Sequence, residues 1–149
     1  MYGGSARIIA HALIDSGISP TPKTLFLIDP CPQFTPQNKA FLADKSSVIK
    51  QSSPEAFEIF RAFVNPVNFA FLDGDHSEEA VRDDICGLYE HLNTGAYVLC
   101  HDAFNEQTCR GIDKAIAATG LTDCGLVATT PQKDGSEAVW GGLRLLRRV

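Results

Sequence analysis

Three short apolar runs constrain this chain most: Thr24–Ile28 (TLFLI), Val67–Leu72 (VNFAFL) and Ala96–Cys100 (AYVLC). Each is too short to be a typical helix and stops at polar residues: Asp29-Pro30, Asp73-Gly74-Asp75-His76 and His101-Asp102. Runs of this kind read as strands buried on both faces of a parallel sheet. Ser47 to Lys50 makes a further brief strand.

Helical spacing fills the intervals. Ala6, Ile9, Ala12 and Leu13 recur at helical period from Ser5 onward, and Gly17 followed by Pro20 stops that helix. Thr35 with Pro36 caps a second helix, and Ser53-Pro54-Glu55 starts a third that turns Phe57, Phe60 and Phe63 inward. Val81, Ile85, Leu88 and Leu92 share one helical face, as do Ile112, Ala115 and Ile116. Thr122 to Thr129 and Ala138 to Leu146 have no helix between them, so Pro131 to Gly135 reads as the loop of a terminal antiparallel hairpin. The prediction is an α/β fold: a Rossmann-like, doubly wound, mostly parallel sheet with a C-terminal antiparallel hairpin. At 149 residues and 44% hydrophobic content, residues 1–149 are expected to form one domain.

Composition narrows the function. A net charge of −5 disfavours a nucleic-acid partner, because phosphate binding rests on clustered Lys and Arg. Arg144, Arg147 and Arg148, the one basic cluster, read as a solvated strand edge. Five cysteines without a CxxC pair read as reduced thiols, and Cys86 and Cys100 fall in apolar runs where a thiol is inert. No apolar stretch reaches the roughly 20 residues of a membrane span. A cytoplasmic protein without membrane association is expected.

In sheets of this kind ligands collect outside the carboxyl ends of the strands, and the polar clusters fall there. Asp29, about 25 residues after a glycine turn, can accept hydrogen bonds from both ribose hydroxyls; an Asp before Pro is equally a turn residue. Gly3-Gly4-Ser5 precedes a helix, where glycine lets backbone approach a ligand; alternatively Ser5 is an N-cap. Ser52, in Gln51-Ser52-Ser53, follows the brief strand. Asp75 and Ser77 are candidates for capping the next helix. His11 and His91 read as ordinary helix residues, and Trp140 as core.

The segments FAFLDGDHS (69–77) and GAYVLCHD (95–102) resemble a branch of the class I S-adenosylmethionine-dependent methyltransferases. That branch includes the cephalosporin-hydroxylase-like and macrocin O-methyltransferase-like proteins. The resemblance runs from Gly3-Gly4-Ser5, as the glycine-rich first motif, through Leu27-Ile28-Asp29-Pro30 as the ribose-binding second, to both later strands. It implies S-adenosylmethionine as cofactor, with Gly3, Gly4, Ser5, Asp29, Ser52 and Asp73 as its binding residues. It also implies a divalent cation, Mg²⁺ or Mn²⁺, on Asp73, His101 and Asp102, and His76 as the catalytic base. His101 departs from the oxygen ligands Mg²⁺ prefers and would favour Mn²⁺, Fe²⁺ or Zn²⁺, or no metal at all, and it equally reads as a residue that orients the loop after its strand. A histidine titrating near neutrality suits the base role.

The resemblance further implies a strand ending in an acid and a glycine ahead of Gly3, lying between the strands at Thr24 and Val67. This sequence has no residues for it. The expectation is a piece of a longer gene product, with two interior strand edges unpaired. The predicted activity is methyl transfer to oxygen of a small molecule or sugar, by a protein free to form homo-oligomers. The competing readings are a metal-dependent hydrolase built on Asp73, Asp75, His76, His101 and Asp102, and a non-catalytic remnant of the same fold.

Overall fold

The computed structural model describes residues 2–63, 66–132, 135 and 139–149. They fall into two compact units, Met1–Ile59 and Phe60–Val149.

In the first unit, helix α1 (Gly4–Asp15) leads to β1 (Phe26–Ile28), α2 (Pro36–Leu42), β2 (Ser47–Ile49) and the start of α3 (Ser53–Phe63). Gly3, at φ 80°, is the N-cap of α1, so Ser5 lies inside the first turn and does not cap it. The helix ends where Gly17 (φ 78°) lets the N–H of Ile18 reach the carbonyl of Leu13 at 2.9 Å and its own N–H reach that of Ile14 at 2.9 Å. This left-handed glycine stop satisfies the last carbonyls. Thr35 caps α2 as expected, its hydroxyl accepting the N–H of Asn38, with Pro36 at the first position. Ala6, Ala10, Leu25 and Leu42 form the core, with Ile9, Leu27, Phe34 and Phe41 packed on it. β1 and β2 pair in parallel, Leu27 opposite Val48. The ladder holds only Phe26–Ile28 of the predicted run, and these residues are half-buried rather than fully buried. The inward turn predicted for Phe60 and Phe63 lies outside the described side chains.

The second unit holds β3 (Val67–Leu72), α4 (Glu78–Tyr89), β4 (Leu92–His101), α5 (Glu106–Thr119), β5 (Thr122–Gln132) and β6 (Trp140–Arg147). Its sheet order is β3-β4-β6-β5. β3 and β4 are parallel, whereas β6 runs antiparallel to both β4 and β5. Every pairing before the terminal hairpin is therefore parallel, in the α/β, Rossmann-like order the alternation predicts. Among the described residues, β1 and β3 each have a neighbouring strand on one side only.

Three boundaries differ from the pattern. Leu92 does not continue α4 but opens β4, because the helix ends at Tyr89 and the strand begins upstream of Gly95. β5 runs through Pro131 and Gln132, which pair with Gly141 and Trp140. Pro131 is tolerated there because β5 is an edge strand. Residues 133–134 of the predicted hairpin loop and the strand start predicted at Ala138 lie outside the described residues.

Alternate residues of β4 are buried, with Ala96, Val98 and Cys100 at 0–2% exposure, so one face of this strand is core. α4 and α5 contribute Ile85, Leu88, Ile112 and Ala115. The two helices meet at Gly111, where an added Cβ would lie 2.7 Å from both the Glu78 carbonyl oxygen and the Val81 Cβ. No helix among the described residues is long and apolar enough to cross a membrane. All five cysteines are free thiols. Burial pushes Cys100 up to about 12 and raises Cys86, in keeping with inert core thiols.

Candidate functional site

Register places the central residues of the site. Leu72 is opposite Cys100 in the parallel β3–β4 ladder, so the next residues, Asp73 and His101, leave adjacent strand ends side by side. The His101 Nδ1 stands 3.4 Å from Asp73 Oδ1 and 3.0 Å from Asp102 Oδ2. His76 swings back from the following loop, its Nε2 2.9 Å from Asp102 Oδ2 and 4.0 Å from Asp73 Oδ1. Donor atoms of Asp73, His76 and Asp102 all lie within 4.8 Å of one another. The four chemically active side chains that end the two runs thus converge.

Both imidazoles face the Asp102 carboxylate at ion-pair distance. His76 Nε2 and His101 Nδ1 are buried atoms without a hydrogen-bond partner. Burial raises the Asp73 carboxyl above its ordinary range and nearby Asp102 adds to this, against the opposing pull of His101 and His76. For Asp102 burial works upward too, but the Gly141 N–H and the two imidazoles outweigh it and hold the group below the ordinary range. Two neighbouring carboxyls are thereby pushed in opposite directions, a common property of functional sites.

Asp102 is built into place. Its φ of 51° is the left-handed region, which Asp tolerates better than most residues. Its Oδ1 accepts the Gly141 N–H at 2.6 Å. The Gly141 carbonyl in turn accepts the N–H of Phe104 at 3.0 Å. The Thr108 hydroxyl, from α5, reaches the His76 carbonyl at 3.4 Å. A cavity of about 20 Å³, lined by Asp73, His76, His101, Cys100 and Thr108 among others, has room for a water-sized guest.

Flanking candidates take structural parts. Asp75 Oδ1 accepts the Ser77 N–H at 2.7 Å, which lowers the Asp75 carboxyl. Ser77 occupies the N-cap of α4, but its hydroxyl makes no capping bond. Trp140 stands edge-on to His76 at 5.3 Å between ring centroids. This places it at the site, half-buried rather than in the core, a role only the folded hairpin reveals.

The first unit carries the other candidates. Gly3 is buried, and a Cβ there would lie 2.6 Å from the Phe34 ring; Gly4 is exposed and Ser5 half-buried in the first turn of α1. Asp29 follows β1, its N–H bonded to the Ile49 carbonyl at 3.1 Å and its Oδ1 accepting the Cys31 N–H at 2.8 Å. The turn role weighed for Asp29 is thus present. The exposed Ser52 hydroxyl bonds the Glu55 carboxylate.

The fold is α/β, and the second unit carries an Asp/His cluster at its strand ends. A family model described as a methyltransferase domain matches residues 1–103, a span from Gly3 to beyond Asp102, and the chain belongs to that family. No curated protein matches it. Among solved structures it is similar to a Streptococcus mutans protein assigned as a SAM-dependent methyltransferase, with TM-score 0.67 and 13% identity over 96% of this chain. The chain spans 42% of the length of that protein. It is similar also to precorrin-6y C5,15-methyltransferase from Geobacter metallireducens, with TM-score 0.64 and 14% identity, covering 99% of this chain and 77% of that one. A third is an O-methyltransferase from Bacillus cereus in complex with SAH, with TM-score 0.62 and 14% identity, covering 99% of this chain and 70% of the other. At these identities the likeness is one of fold.

Proposed function

We propose that this domain serves S-adenosylmethionine-dependent methyl transfer to an oxygen of a small molecule or sugar. The observation that carries the reading is the methyltransferase-domain match over residues 1–103, which contains every cofactor and cluster candidate. It favours methyl transfer over metal-dependent hydrolysis by the same Asp and His residues.

Gly3, Gly4, Ser5, Asp29, Ser52 and Asp73 are the proposed cofactor residues, with Asp29 on the ribose hydroxyls. The transfer itself is mostly positioning of oxygen against the sulfonium methyl. The acceptor's proton then passes to the cluster at the β3 and β4 ends, where His76 is the candidate base. The donor set fits a divalent cation: Asp73, His101 and Asp102 present two carboxylates and an imidazole nitrogen within 3.4 Å of one or both. Such an ion, when bound, supplies Lewis acidity toward an acceptor hydroxyl.

A small acceptor also suits the charge distribution. Arg144 is paired with Asp113 at 2.7 Å and Asp123 at 2.8 Å, and Arg148 is bonded to the Tyr89 and Leu92 carbonyls. These guanidiniums are engaged internally, which leaves little basic surface for a phosphate backbone.

Calorimetric titration of S-adenosylhomocysteine into the chain tests the reading. Micromolar binding, about −8 kcal/mol, is expected; no heat at millimolar ligand sinks it.

A further inference from the structure

We propose that Trp140 is a positioning residue for methyl transfer: with Gly141 it holds the His76 imidazole against Asp102, leaving Nδ1 as the ring nitrogen that accepts the proton of the methyl acceptor. The inference rests on the methyl-transfer reading and deepens it, naming the atom of His76 that acts and the residue that aims it. Trp140 and Gly141 lie beyond residues 1–103, the span of the family match.

Two successive residues of β6 hold the two members of the pair. The Gly141 N–H is given to Asp102 Oδ1 at 2.6 Å, and Trp140 stands edge-on to His76, ring centroids 5.3 Å apart and planes at 86°. β6 is itself fixed at this point, because Trp140 pairs with Gln132 of β5 and Gly141 with Pro131. One strand start thereby sets carboxylate and imidazole in relation to each other.

The carboxylate alone does not aim this ring. The second side-chain torsion of histidine is broad, and Asp102 Oδ2 meets His101 Nδ1 at 3.0 Å as well as His76 Nε2 at 2.9 Å. An ion pair fixes one atom of an imidazole, whereas a perpendicular aromatic ring fixes its plane. The indole makes that contact through its ring, since its own Nε1 is buried without a hydrogen-bond partner.

The tautomer follows. An unprotonated Nε2 would turn its lone pair on a carboxylate oxygen at 2.9 Å, so repulsion places the proton of the neutral ring on Nε2 and the lone pair on Nδ1. Nε2 is also buried, whereas the side chain as a whole is 32% exposed, so its exposed part lies away from that nitrogen. Nδ1 takes the hydroxyl proton while the hydroxyl oxygen bonds the sulfonium methyl carbon, and the electron pair of the broken C–S bond stays on sulfur. The imidazolium so formed is stabilised by the Asp102 carboxylate beside it.

Nitrogen-15 magnetic resonance of the imidazoles in the full chain tests this, with chelator present and at about pH 8, above the ordinary histidine range. His76→Gln assigns the signals. His76 is expected with Nε2 protonated and Nδ1 bare. Trp140→Leu should lower the ratio of Nε2–H to Nδ1–H tautomer by about 2- to 10-fold, the contribution of one aromatic pair. Trp140→Phe, which keeps a ring without the indole N–H, should hold the ratio near that of the unmutated chain. A residue that only fills space would leave the tautomers unmoved. An Nδ1–H tautomer in the unmutated chain overturns the inference, and that spectrum decides even where a variant folds poorly. An unchanged ratio in folded Trp140→Leu, or a folded Trp140→Phe that behaves as the leucine variant does, overturns it as well. Calorimetry with S-adenosylhomocysteine on the unmutated chain separates the two readings. The expected tautomer without nucleoside binding overturns methyl transfer and keeps the hold of Trp140 on His76; nucleoside binding with the other tautomer overturns the positioning alone.

Discussion

Asp102 and Gly141 are joined by a 2.6 Å hydrogen bond across 39 positions of sequence, and both adopt left-handed backbone, φ 51° and 82°. The bond fastens the end of β4 to the start of β6. It also decides which oxygen of Asp102 faces His76 and His101. Gly142 closes the same junction: its carbonyl accepts the Ala103 N–H at 3.3 Å, and a Cβ there would lie 2.7 Å from the Phe104 ring.

Gly142→Ala should therefore be among the costly single changes in the second unit. A side chain in left-handed backbone costs about 1–2 kcal/mol, and overpacking against Phe104 adds about 1–3 kcal/mol. Chemical denaturation should show a loss of about 2–5 kcal/mol. A loss under about 0.5 kcal/mol, the range of ordinary surface changes, contradicts the packing described.

Gly111→Ala sets two effects against each other. Alanine gains about 1 kcal/mol of helix propensity over glycine, but its Cβ would meet the Glu78 carbonyl at 2.7 Å, and backbone oxygen yields poorly. The overpacking cost of about 1–3 kcal/mol should win. A lowered midpoint in thermal melting checks this; a raised one means α4 and α5 can slide apart freely.

Much of this arrangement was legible in the sequence. The alternation of apolar runs and helical spacing located nearly every element, and the polar residues ending each run located Asp73, His76, His101 and Asp102. Strand register does the rest, since Leu72 opposite Cys100 brings Asp73 beside His101. What local pattern could not show depends on distant contacts. The clamp on Asp102 and the placing of Trp140 against His76 arise when β6 folds back onto β4. A pair of glycines opening a strand, Gly141-Gly142, was the available signal, because adjacent glycines there mark close approach of another backbone.

Asp29→Ala separates turn from binding. Its Oδ1 holds the Cys31 N–H, so the variant should lose a local turn bond, and the proposed ribose contact with it. Hydrogen bonds to a charged group contribute about 1.5–3 kcal/mol, so S-adenosylhomocysteine affinity should fall roughly 10- to 100-fold while the circular dichroism spectrum is kept. Unchanged affinity in calorimetry confines Asp29 to the turn.

Asp73 and Asp102 should respond oppositely to mutation and differently to acid. Burial raises Asp73, so folding favours its protonated form, and the stability it contributes is full below the unfolded pKa and lost as pH rises through the folded one. Asp102 is held low by the Gly141 N–H and the imidazoles against the effect of burial, so its contribution is present above the unfolded pKa and lost as pH falls through the folded one. With chelator present at neutral pH, Asp73→Asn should melt at or above the parent temperature and Asp102→Asn below it. On acidification the Asp73→Asn difference should close first, because the raised group protonates at higher pH than the lowered one. A melting series taken from neutral pH downward through the ordinary carboxylate range checks the order of the two. If the Asp102→Asn difference closed first, Asp102 rather than Asp73 would be the carboxyl that burial disfavours, and the Gly141 bond would not be what sets its charge.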